Sequence, residues 1–181
     1  MALPGGLEEL VWIGGVATET RVGAADWTAS VYGAMDVPEA MGPFKEVFGE
    51  GGEIIAICEL FTFLVLVVTR APCWTGKLVL YVTDNTNAER WLLKRVARNR
   101  LARLGLRLLQ SLEAWHHFQV TSAGVWTNHN HSMDLLSRAT KDVVQKEMNP
   151  LGLREIDLKG PWMEILKDVE RGRPLTLAGG A

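Results

Sequence analysis

The longest apolar block in the chain, "IIAICELFTFLVLVV" from Ile54 to Val68, holds a single charge, Glu59. A membrane span needs about 20 such residues, and a carboxylate in mid-span is expensive there. The block therefore predicts a buried core helix over Glu53–Thr69, and no membrane is expected as a partner. Upstream, "LEELVWIGG" reads as a strand closing on a glycine pair, and "TRVGAADWTASVYGA" as one second strand of small residues and β-formers. Met35–Gly52, with Pro38 and Pro43, reads as a loop. "RAPCWTGK" ends the core helix at Pro72 and Gly76, and Leu78–Thr83 is apolar enough for a strand covered on both faces. Asn85 or Thr86 can cap a helix running to about Arg95, and a longer helix follows from Ala97 to Trp115. "HFQVTSAGVW" is a further strand, and "NHNHSMDLLSRA" a polar loop entering a short helix. Beyond Lys141 the pattern weakens: "MNPLGLREIDLKGPW" reads as irregular, Met163–Val169 as helical, and the last residues as mobile. This order predicts a mixed α/β domain over 1–140, with an extension over 141–181. At least one parallel strand pair is expected, joined through Glu53–Thr69 by a right-handed crossover.

Composition alters this little. A length of 181 residues suits one domain, and a net charge of -2 demands no polyanionic partner globally, although a local patch can still recruit one. Cys58 and Cys73 make neither a disulfide framework nor a metal motif, so a reducing, intracellular setting is expected. "MALPGGLEEL" lacks the basic and apolar regions of a secretory signal. The seven tryptophans fill cores more readily than they stack on bases.

Three carboxylates invite a chemical reading. Asp84 sits where the strand "KLVLYVT" ends; it either starts a turn or belongs to a site at the carboxyl end of a sheet. Glu59 lies inside the apolar helix with Ala56, Leu60 and Phe63 around it, and a buried carboxylate needs a partner or a cation. Asp134 opens a short helix, where the dipole favours an acid in any case. Together the three could hold hard divalent ions, and a pair of such ions stabilises both oxygens of a phosphoryl displacement.

With "ICELFTFLVLV", "VLYVTDNTNA" and "NHNHSMDLLSR" in this order, the chain resembles the ribonuclease H domain of retroelement reverse transcriptases over about Leu10 to Arg138. The last piece is similar to the retroelement ending Asn-x-x-Ala-Asp-x-Leu-Ser-Arg, with Met133 in place of the usual small residue. The resemblance implies a mixed five-stranded sheet flanked by helices. It implies hydrolysis of the RNA strand of RNA–DNA hybrids with two magnesium (or manganese) ions, beside a polymerase domain of the same polyprotein. Glu59, Asp84 and Asp134 would be the catalytic carboxylates and metal ligands. The first family Asp falls at Val16, which cannot ligate a metal, so activity is expected to be impaired; Glu19 and Asp26 are the nearby acids. The family's mobile histidine would be His129 or His131, and His116 and His117 read as structural.

A positive stripe completes the reading. Arg90, Lys94 and Arg98 recur every four residues, Arg103 and Arg107 continue the spacing, and Arg95 and Arg100 add to it, with only Glu89 adjoining. Either this is a solvated helix face or it meets phosphates, in which case Arg90, Lys94, Arg98 and Arg103, with Asn85 and Asn130, would position a duplex without reading its sequence. Two functions stand: an active ribonuclease H, or a catalytically degenerate binding or scaffold module of the same fold. A different nuclease or recombinase of the superfamily fits the "LLSR" ending less well.

Overall fold

The computed structural model describes residues 9–18, 21–36, 52–125 and 131–170. Its strands are β1 (Glu9–Ala17), β2 (Arg21–Asp26), β3 (Val31–Asp36), β4 (Lys77–Thr83), β5 (Gln119–Gly124) and the short β6 (Arg154–Glu155). Its helices are α1 (Gly52–Arg70), α2 (Thr86–Lys94), α3 (Arg100–His116), α4 (His131–Arg138), α5 (Lys141–Met148) and α6 (Lys159–Glu170). The strands form one mixed sheet in the order β5-β4-β1-β2-β3-β6. The β1–β2 and β2–β3 pairs are antiparallel, and the others are parallel. The mixed α/β class is the expected one, with six strands rather than five.

α1 is the pivot of the larger core. It is long and apolar enough to cross a membrane by length and composition, yet 72% of its most apolar window is buried inside the domain. Residues from Ala56 to Val67 are buried around its whole circumference, between the sheet and α3 and α6. Gly105 lets α3 approach, since a Cβ there would come within 2.8 Å of Leu64. The second, smaller core lies under α4 and α5, where Val16, Ala25, Tyr32, Met133, Leu136, Val144 and Met148 meet.

Two expectations are corrected. "TRVGAADWTASVYGA" is not one strand but the β2–β3 hairpin. Its turn contains no glycine; Asp26 accepts a hydrogen bond from the Ala29 amide at 3.0 Å, and Ser30 takes a left-handed conformation (φ 56°). The stretch between Lys141 and Trp162 is not irregular: α5 and β6 form there, and the helix expected over Met163–Val169 begins earlier as α6, with Trp162, Ile165 and Leu166 entering the main core. Trp162 meets Phe61 of α1 edge-on at 6.2 Å between ring centroids. The expected loop over Met35–Gly52 lies mostly outside the described residues.

Candidate functional site at the ends of β1 and β4

β1 and β4 run parallel and adjacent, with Ile13 opposite Tyr81 and Gly14 opposite Val82. Their side chains alternate between faces. Val79, Tyr81 and Thr83 are the buried positions of β4 and face α1, where Glu59 is 1% exposed. The Tyr81 hydroxyl donates to Glu59 Oε1 at 3.0 Å, and the Thr83 hydroxyl donates to the same oxygen. Thr83 Oγ1 in turn accepts from the Asn85 amide at 2.9 Å. Asn85 Oδ1 then accepts from the Asn87 and Ala88 amides at 3.0 and 3.1 Å, which makes Asn85 the N-cap of α2. The end of β4 is therefore a hydrogen-bonded latch from α2 to α1.

Burial pushes the Glu59 carboxyl up to about 8. The Thr83 and Tyr81 hydroxyls draw it back down, and the negative Asp84 nearby raises it again. At neutral pH Glu59 is thus mainly a neutral acid held by hydroxyl groups. Burial, aided by Glu59 and Asp84, likewise holds the Tyr81 phenol well above its usual range. Tyr81 also needs Gly15, because a Cβ on Gly15 would fall 1.8 Å from the phenol oxygen. Phe63 of α1 covers the phenol ring at 4.3 Å between centroids.

The three expected carboxylates do not gather. Asp84 is half-buried and close enough to raise Glu59 electrostatically, but Asp134 pairs with Arg138 on its own helix at 3.7 Å. Among the described residues no group of three or more His, Cys, Asp or Glu side chains could hold a metal ion. Magnesium demands several ionised oxygens in near-octahedral array. Glu59 and Asp84 alone do not supply that array, so the described residues show no site for the two expected ions.

Val16, where the first family Asp was expected, is 3% exposed and packs in the smaller core beside Met133 and Leu136, on the face turned away from Glu59. The β1 residue beside the latch is Gly15. Asp26 is fixed in the hairpin turn and paired with Arg70 at 3.4 Å. Glu19, His129 and Asn130 lie outside the described residues; His131 is exposed at the start of α4. His116 ends α3 and His117 follows as its left-handed cap.

The expected stripe is broken by the end of α2 at the left-handed Arg95: Arg90 and Lys94 lie on α2, Arg98 in the link after it, and Arg100, Arg103 and Arg107 on α3. Arg90, Lys94, Arg98, Arg100, Arg103 and Arg107 are exposed, and none forms an ion pair among the described residues. Arg95 is not part of it. Its guanidinium forks onto Glu113 at 2.8 and 2.6 Å and donates to the Val120 carbonyl at 2.8 Å, while Glu113 also accepts from the Val120 amide. This pair closes the outer edge of β5 at Val120, where another strand could otherwise add.

Sequence reasoning found Glu59, Asp84 and the stripe, and missed Tyr81, Thr83, Gly15 and the Arg95–Glu113 fork. Tyr81 and Thr83 were open to discovery, since alternation in "VLYVTD" puts both on one face. The fork carried no local signal, because its partners stand 18 residues apart.

No protein-family model and no curated protein matches the chain. Among solved structures it is similar to ribonuclease H1 from the halophilic archaeon Halobacterium salinarum NRC-1. The identity is 12%, the match covers 77% of this chain and 99% of that one, and the TM-score is 0.47. At that level the side chains present here decide what the site can do.

Proposed function

We propose that this chain is a catalytically degenerate ribonuclease H-like module that holds nucleic acid by its backbone. The observation that carries the proposal is the set of six exposed cations on α2, α3 and the link between them, none ion-paired among the described residues, on a protein of net charge -2. Solvated helix faces normally mix signs. A single-sign set of this size matches phosphates and contributes affinity without sequence preference. The degenerate half of the reading rests on the latch: Glu59 is engaged as a neutral acid, and Asp134 is paired elsewhere. The "NHNHSMDLLSR" ending supports a retroelement lineage, in which such a module would sit beside a polymerase domain and present the RNA–DNA hybrid to it.

The test is fluorescence anisotropy with a labelled RNA–DNA hybrid across a salt series. The double variant Arg98→Glu, Arg103→Glu should weaken binding and lower the slope of log K against log salt by about two, roughly one per lost phosphate contact. Equal affinity and slope in wild type and variant would make the stripe a solvated face. Magnesium-dependent cleavage of the hybrid that Asp84→Asn abolishes would instead make the chain an active nuclease.

A further inference from the structure

On the other face of the β1–β4 pair, away from the latch, lies a cavity of about 260 Å³. It is lined by Trp12, Ile13, Gly14, Trp27, Val82, Ser132 and Met133. None of these side chains is charged. Trp12 is 49% exposed, an unusual cost for the largest apolar side chain on a sheet. Trp27 Nε1 lies beside Gly14, 3.1 Å from where a Cβ would stand, and the Met133 sulfur is 2.8 Å from the same point. The absence of a side chain at residue 14 thus lets Trp27 and Met133 close onto the strand and form the floor of the cavity. Among the described residues neither Trp27 Nε1 nor the Ser132 hydroxyl has a hydrogen-bond partner.

We propose that this cavity is a binding site for one flat heteroaromatic ring, an unpaired nucleobase of a single-stranded segment. Ligand sites are mostly apolar with a few convergent polar groups, and those for drug-sized molecules run about 300–1,000 Å³. This one is smaller, suited to a ring rather than a whole nucleotide. Indoles offer stacking surface, and a thioether is a soft floor for an aromatic edge. Trp27 Nε1 can only donate, and the Ser132 hydroxyl can donate or accept, which matches the ring nitrogens and exocyclic groups of a base. With no cation in the lining, the cavity has nothing for a phosphate. The phosphates fall to the α2–α3 stripe, so the nucleic-acid identity of the ligand rests on the function proposed above. The position is physically reasonable, since it lies at the carboxyl ends of parallel strands where open sheets bind ligands.

The experiment compares a short oligodeoxyadenylate with an abasic strand of equal length by anisotropy, and separately follows quenching of 2-aminopurine deoxyriboside by the protein. Stacking of one base corresponds to about tenfold in affinity. The base-bearing strand should bind about tenfold tighter than the abasic one, and the riboside should be quenched and displaced by adenosine. Trp12→Ala should remove both the preference and the quenching. Ser132→Leu, which fills the cavity from α4, should do the same and serves if Trp12→Ala fails to fold. Equal binding of the two strands with no quenching overturns the proposal, as does a preference that survives both variants. So does displacement of the riboside by tetramethylammonium but not by adenosine, which would mark a cation cage. Quenching without binding of either strand would overturn a nucleobase held within a strand, and absence of both signals overturns the cavity proposal; the hybrid salt series above decides the backbone-binding function separately.

Discussion

Replacing Glu59 by glutamine is the sharpest test of the latch. In the folded chain the Glu59 carboxyl titrates near 8 rather than at its usual 4.5, because burial disfavours the charge. Between those values the folded protein keeps a proton that the unfolded chain has released. Stability contributed by this group is therefore full below pH 4.5 and is lost as pH rises towards 8. At about 1.4 kcal/mol for each pH unit, the loss across the window is roughly 5 kcal/mol, a large part of a domain's total. Glutamine mimics the neutral acid: its Oε1 can accept from both Tyr81 and Thr83, and it has no proton to lose. Urea unfolding of wild type and Glu59→Gln at a series of pH values should give curves that coincide in acid and diverge towards pH 8, with the variant the more stable. The difference, not either curve alone, isolates Glu59 from the other titrating groups. A flat difference, or a wild type that gains on the variant as pH rises, would refute the reasoning. Millimolar magnesium should shift neither curve; magnesium stabilisation of wild type that the variant lacks would mean that Glu59 is an ionised ligand after all.

Two further substitutions test the packing around this end of the sheet. Gly15→Ala places a methyl on the Tyr81 phenol and should cost about 1–3 kcal/mol in urea unfolding, the range for overpacking; in a Tyr81→Leu background the same change should cost less, and equal costs would remove Tyr81 as the cause. Glu113→Ala strips Arg95 of its partner and the Val120 amide of its acceptor; both side chains are under a fifth exposed, so a loss of about 2 kcal/mol is expected after allowing for solvent screening, together with faster hydrogen exchange at Val120. Unchanged exchange there would show that the fork does not guard the β5 edge.

The legible parts of the fold were those with a strong local signal. The α1 block could be read by length and apolarity, β4 by its β-formers, and α2 by its asparagine cap, Asn85, whose side chain accepts from the first-turn amides; α3 was read as starting at Ala97, whereas the unread cap Asn99 starts it at Arg100. The β2–β3 hairpin was hidden because its turn uses Asp26 and Ser30 where the usual signal is glycine. From Lys141 on, α5 and β6 were hidden because each is short, and α6 was read only over Met163–Val169, since residues such as Trp162 find their partners only across the domain, here Phe61. The carboxylates were visible as chemistry, but their protonation state was not. A buried Glu59 could equally have met cations or hydroxyl groups, and Tyr81 and Thr83 became relevant only through the strand register.

That register also explains how one pair of strands serves two unrelated surfaces. Gly15, Tyr81 and Thr83 face α1, while Trp12, Gly14, Val16 and Val82 face the side of α4. A metal-dependent nuclease site at this place would need ionised oxygens converging at the strand ends. Here the α1 side offers a protonated acid locked by hydroxyl groups, and the α4 side offers indoles, a thioether and two glycine-sized gaps closed by Met133 and Leu136. A carboxylate introduced at Val16 would enter the smaller core among Ala25, Tyr32 and Met133, where burial would keep it neutral. A single acid at Val16 is therefore not expected to complete a metal site. Among the described residues the β1–β4 ends present indoles, a thioether and hydroxyl groups, with no third carboxylate beside Glu59 and Asp84.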